Sequence, residues 1–310
     1  MAYYGFNFTT RNAGGLGAII HDVMNANKYA EENGLVLGLV SSGYNIPRLN
    51  GSIQDIDVPD KNWHSYFTSF AIVDEAECVG LWPKFLPDTK NSKWTIQQYS
   101  DMLKHKVCAF NHDIYNEINE LVAKTPFNVE TDIVVHIRQT DKITENPQFL
   151  PVEKYIDECE YALSTLNHDK NRIYVCTDNK QVITDIKLHF STKNIEVVWD
   201  DSESGEALQT IRWKGKLPKS IAQVETMNAF KNIFIMKNAK YLIGGRMSYF
   251  YRIAELLGYP NKSVNIQDND AFGVAPYSSV NHMIRPYMKN TIPDFINKNI
   301  YTDQSLEKYN

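Results

Sequence analysis

The sequence predicts an α/β protein made of two Rossmann-like halves, and three observations carry that prediction. Short apolar runs alternate with amphipathic runs of helix length, most regularly in the second half. Several of the apolar runs end in polar clusters. The 310-residue length suits two domains of roughly 120–180 residues sharing a cleft, each large enough for its own core.

Residues 3–8 form the first strand candidate, followed by a glycine loop over 12–17 and an amphipathic helix over 18–32. Gly34 fits a helix C-cap, and residues 35–40, apolar almost throughout, predict a short buried strand. Strand, glycine loop, helix and strand open an α/β unit. Residues 45–95 mix aromatics (Trp63, Tyr66, Phe67, Phe70, Trp82, Phe85) with turn formers, which fits either an irregular substrate-facing lobe or a loop-rich core. Residues 97–124 carry helical periodicity, with Ile114, Ile118 and Leu121 on one face.

The second half predicts strands over 132–137, 172–176, 195–199 and 240–243. They alternate with helices over 152–166, 180–190, 223–238 and 248–257, the last closed by Gly258. That alternation implies a parallel sheet with right-handed crossovers. Ligands in such sheets bind beyond the carboxyl ends of the strands. Those ends read His136-Ile137-Arg138, Thr177-Asp178, Asp200-Asp201 and Gly244-Gly245-Arg246.

Composition narrows the function classes. The chain is 43% apolar and 22% charged with a net charge of −5, so neither nucleic acid nor an anionic membrane is favoured as partner. The four cysteines (Cys78, Cys108, Cys159, Cys176) have no CxxC spacing, which points to reduced thiols rather than a disulfide framework or zinc. No signal peptide and no membrane-length apolar run are visible, so the expected location is cytoplasmic.

The sharpest signal is Val134-Val135-His136-Ile137-Arg138-Gln139-Thr140-Asp141-Lys142, with Glu145 close behind. A strand that exits into His, Arg, Lys and carboxylates points to an anion site, the alternative being a strand end whose charges pair with each other and with solvent. Arg138 offers a planar fork suited to a diphosphate, and Lys142 a point charge. The glycine loop at Gly14, Gly15 and Gly17 precedes a helix, so its backbone N–H groups and the helix dipole could approach a phosphate; a tight turn without ligand explains it equally well. Asp268-Asn269-Asp270 and Asp55-Ile56-Asp57 imitate a DxD metal motif without a convincing preceding strand, so no metal is expected. His21, the Tyr249-Phe250-Tyr251 run, Trp63 and Trp82 are read as packing residues.

The His136–Lys142 segment resembles the HxRRTDK motif of the core alpha-1,6-fucosyltransferases and the rhizobial nodulation fucosyltransferases. Ile173 to Asn179 is similar to that family's VYLATDD strand, and Asn238 to Ala254 to its ADFLVCTFSSQVCRVA strand and helix, in the same order. The glycine loop looks like the GGxGN-type loop of the broader protein O-fucosyltransferase superfamily. The resemblance implies a GT-B-like fold, with two Rossmann-like domains facing across a cleft. Residues 1–127 would be the acceptor side, 128–290 the donor-nucleotide domain and 291–310 a terminal tail or helix.

It also implies an inverting, metal-independent transfer of fucose from GDP-fucose to a glycan or glycoconjugate hydroxyl. By that resemblance Arg138 grips the β-phosphate, His136 lies near the nucleotide, and Asp178 and Ser248 line the donor pocket. Lys142 and Glu145 handle the acceptor proton, with Asp141 as a reserve base. Two departures stand out. Gln139 replaces the motif's second arginine, and Gly244-Gly245-Arg246 replaces its cysteine-threonine-phenylalanine; a cation at Arg246 would compensate for Gln139. Gln139 therefore keeps open another nucleotide-sugar donor, UDP-xylose or another GDP-sugar. A non-catalytic nucleotide- or glycan-binding module is the third reading, disfavoured by the retained Lys142 and Glu145.

Overall fold

The computed structural model describes residues 2–8, 16–43, 63–82, 94–138, 151–165, 172–200, 219–245 and 248–266. These fall into two compact units. One runs to Glu117 and takes in the start of a later helix as far as Met227; the other runs from Ile118.

The first unit holds β1 (Tyr3–Phe6), α1 (Leu16–Glu32), β2 (Val36–Val40), β3 (Ala71–Val73) and β4 (Cys78–Trp82). The strands are all parallel, in the order β3-β2-β1-β4. Ile20, Val23, Met24, Ala26 and Ala30 of α1 are fully buried, as the amphipathic pattern requires. Gly34, with φ +68°, ends α1 in the left-handed conformation a C-cap needs. Strands β3 and β4 lie inside the aromatic stretch that had no readable period: β3 is three residues long and β4 is mostly half-buried, so neither alternates cleanly.

Trp63 and Trp82 are core residues. The Trp63 ring lies 4.4 Å from Phe67 and 5.9 Å from Phe8, and its Nε1 donates to Ser69 Oγ at 2.9 Å, which satisfies the one polar atom that burial would orphan. His21 is likewise buried, 3.2 Å from the Asn25 amide.

The continuous helix expected over 97–124 is broken. It forms α2 (Ile96–Met102), a π-helical turn over Leu103–Val107, and α3 (His112–Ala123). Between them the backbone leaves the helix to pair with residues 66–68, through Thr68 N to Ala109 O (2.7 Å) and Asn111 N to Tyr66 O (2.9 Å). Phe67 and Phe110 pack across that bridge at 4.8 Å. A tertiary contact thus overrides local periodicity, with no Gly or Pro to announce it.

The second unit holds β5 (Ile133–Ile137), α4 (Val152–Thr165), β6 (Arg172–Thr177), α5 (Lys180–Phe190), β7 (Glu196–Val198), the part of α6 (Lys219–Asn238) from Asn228 onward, β8 (Tyr241–Gly244), α7 (Tyr249–Gly258) and β9 (Lys262–Asn265). The sheet is parallel throughout, in the order β7-β6-β5-β8-β9. One face packs its Ile133, Val135, Ile137, Ile173, Val175 and Ile243 side chains against α4 and α5. Strand β5 is buried at every position, including those that point to the other face, which is why it reads as a continuous apolar run. β9 escaped the sequence reading because Lys262, Ser263 and Asn265 interrupt its hydrophobicity. The terminal segment expected as a tail or helix, 291–310, and both DxD look-alikes lie outside the described residues.

Candidate functional site

From β5 the chain steps outward to β6 and β7 on one side, then crosses to β8 and β9 on the other. Between β5 and β8, therefore, the connections leave the sheet in opposite directions, and their carboxyl ends flank the point where the strand order reverses. Sheets of this kind bind ligands at such a point. Here β5 delivers His136 and Arg138, and β8 delivers Gly244, followed by Ser248 at the start of α7.

Arg138 follows the last residue of β5. Its Nε stands 3.9 Å from Asp178 Oδ2, beyond the end of β6, and its guanidinium carbon lies 5.9 Å from the centre of the Phe250 ring. The ion pair is at the outer limit of contact, and both side chains keep some exposure, 21% and 29%. The fork is thus steered by a carboxylate and an aromatic face while remaining accessible at the edge of the sheet.

His136 is of another kind. It points to the face opposite the main core cluster and is buried, with Nε2 2.7 Å from Ser248 Oγ, 112 residues away in sequence. Burial pushes its pKa down from 6.5 to about 4, the nearby Arg138 charge acting in the same direction and Asp178 opposing it. The imidazole is therefore neutral at physiological pH. The Cys176 backbone beside the ring pulls the pKa back up, and Nδ1 is buried without a hydrogen bond of good geometry.

Ser248 is the N-cap of α7, with extended backbone (φ −92°, ψ 117°) and Oγ accepting from Tyr251 N. Its burial (4% exposed) and the capping contact make it a structural hydroxyl rather than the nucleophile of a Ser–His pair. Gly244 lets α7 start this close: a Cβ at that position would drive into the Tyr251 ring.

One strand further out is a cavity of about 250 Å³, lined by Thr177, Lys180, Lys187, Trp199, Asp200 and Asn232 among others. It exists because β7 pairs with β6 only over Arg172–Tyr174, so the last three residues of β6 run past the end of β7. Lys187 lies over the Trp199 ring at 4.3 Å. Lys231, buried on α6, makes an ion pair with Asp200 and lies 3.4 Å from Asn228 Oδ1.

Of the residues picked from sequence, the structure brings together His136, Arg138, Asp178 and Ser248. Gly17 lies in the first turn of α1, in the other unit. Gly14, Gly15, Asp141, Lys142, Glu145 and Arg246 lie outside the described residues. Sequence reading missed Phe250 as the ring beneath Arg138, taking it for packing only, and missed Lys231 altogether. The first carried no signal beyond following an N-cap, and the second is one lysine of an ordinary helix. Among the described residues no group of three or more His, Cys, Asp or Glu could hold a metal ion, and no helix is long and apolar enough to cross a membrane.

Residues 91–219, about two-fifths of the chain, match the family model described as alpha-(1,6)-fucosyltransferase N- and catalytic domains, so the chain is fucosyltransferase-like across β5, β6 and β7. In fold it is similar to the crystal structure of POFUT1 in complex with GDP, with a TM-score of 0.51 at 10% identity over 86% of this chain and 98% of that one. A structure of the fucosyltransferase NodZ from Bradyrhizobium matches with a TM-score of 0.45 at 14% identity over 83% of this chain and 94% of that one. The architecture is that of the GT-B type, with two Rossmann-like α/β units.

Proposed function

We propose that the protein is an inverting glycosyltransferase that moves fucose from GDP-fucose to a glycan hydroxyl, with residues 128–290 as its donor domain and 1–127 as its acceptor side. The observation that supports this best is the meeting of Arg138, Asp178, Phe250 and the Ser248-capped start of α7 at the topological switch point, within a chain whose 91–219 segment matches a fucosyltransferase family.

In this reading the diphosphate lies between the Arg138 fork and the first turn of α7, where the helix dipole adds to the guanidinium charge. Reaction breaks the bond from the anomeric carbon to the diphosphate oxygen as the acceptor oxygen attacks from the opposite side. The charge left on the diphosphate is met by Arg138, with Lys142 and Arg246 as further cations. The acceptor proton passes to Glu145, with Asp141 in reserve. The nucleoside extends toward the cavity at Trp199. At about 250 Å³ that cavity is below the size of a full ligand pocket, so it serves as a subsite only.

Gln139, in place of the motif's second arginine, favours one competing reading: a different nucleotide sugar on the same scaffold. A thermal-shift panel of GDP, UDP, GDP-fucose and UDP-xylose separates the two. Stabilisation by GDP and GDP-fucose alone is the expected outcome; selective stabilisation by UDP overturns the GDP assignment. Transfer measured with labelled GDP-fucose should run at the same rate with and without a chelator, and a loss of turnover on chelation would show a metal-dependent reaction.

A further inference from the structure

We propose that His136 is a positioning residue, acting on the donor through Ser248 rather than by touching it; the proposal rests on the donor reading above. The imidazole is buried, so one of its nitrogens must carry a proton and the other must find a donor. Nδ1 is buried without a hydrogen-bond partner of good geometry, and we assign the ring proton to it because Nε2 is the nitrogen that meets the Ser248 hydroxyl. Nε2 is then a bare acceptor 2.7 Å from Ser248 Oγ, and the hydroxyl donates its single proton to it. With its hydrogen committed, Ser248 Oγ turns a lone pair to the Tyr251 N–H, the bond that caps α7.

The consequence is geometric. The capping hydroxyl sits at the start of α7 and the imidazole on β5, so their bond spans the two strand ends at which the strand order reverses, β5 and β8. It fixes the start of α7 relative to Arg138, two residues beyond His136. Gly244 and Tyr251 set the distance of approach and His136 sets the hydroxyl rotamer. A phosphate between the guanidinium and the helix start meets a spacing already in place before it binds. With Nε2 taken up by the Ser248 hydroxyl, His136 acts on the donor through that hydroxyl.

The test uses the full chain with GDP as the probe, in calorimetry and in transfer kinetics. His136→Phe keeps the ring volume and removes the acceptor. Ser248→Ala removes the hydroxyl. His136→Gln keeps an acceptor at the reach of Nε2. Each of the first two should weaken GDP binding about ten-fold, the double variant should be no worse than either alone, and His136→Gln should recover most of the loss. Below about pH 5, wild-type affinity should fall relative to His136→Gln, since a protonated imidazole can no longer accept from Ser248. If the losses of His136→Phe and Ser248→Ala multiply, or the Gln variant fails to recover, His136 contacts the donor directly and the proposal is overturned. A wild-type chain that binds neither GDP nor UDP overturns the donor reading and the proposal with it, which distinguishes the two failures. Circular dichroism on each variant identifies simple unfolding, and a denaturant double-mutant cycle on the same pair must then show the same non-additivity for the proposal to stand.

Discussion

At the scale of single residues, the account turns on charge geometry at the ends of β5 and β6. Arg138→Ala removes the fork and should cost about 100- to 1,000-fold in transfer rate while leaving the fold intact, because the side chain is partly exposed and borders the core rather than filling it. Arg138→Lys should recover little of that, since an ammonium offers no bidentate fork. His136 makes a separate prediction for stability against pH. Its folded pKa of about 4 is below its unfolded value of 6.5, so between these pH values the unfolded chain binds more protons and stability falls as the solution is acidified. The loss should approach about 3 kcal/mol near pH 4 and be absent in His136→Gln, so the difference between the two unfolding curves reads this one group.

At the scale of elements, the sequence revealed most where one element obeys one rule. The alternation from β5 to α7 was legible because the strands are short, largely apolar runs and α4 and α5 each bury one face. Helix α5 was read with the bounds it has, capped at Asn179. The polar residues at the strand ends were legible for the same reason, and His136, Arg138, Asp178 and Ser248 do converge. What escaped was set by contacts between distant residues. The bridge between Phe67 and Phe110 broke an otherwise continuous helical period, β9 is too polar to look like a strand, and the Lys231–Asp200 pair joins a helix to a strand end 31 residues away. Two variants probe these elements. Gly244→Ala places a methyl group in the Tyr251 ring, so it should destabilise the second unit by about 1–3 kcal/mol and weaken GDP binding together with stability. Lys231→Met leaves the Asp200 carboxylate largely buried without its partner and should cost about 3 kcal/mol in a urea titration, whereas Lys231→Met combined with Asp200→Asn should recover part of it.

At the scale of the whole molecule, two parallel sheets divide the chain, and in the second the reversal of strand order has Arg138 on one side and the capping Ser248 on the other. A net charge of −5 means that any anion is attracted locally, by groups the fold gathers, and not by the protein's overall field. That places the burden on one diphosphate site. The most direct measurement is calorimetric titration of the wild type and of Arg138→Ala with GDP and with guanosine. The account predicts that the wild type binds GDP at least about ten-fold more tightly than guanosine, as expected for a charge-assisted phosphate contact, and that Arg138→Ala loses this preference while still binding guanosine. An Arg138→Ala chain that keeps the wild-type preference for GDP would contradict it.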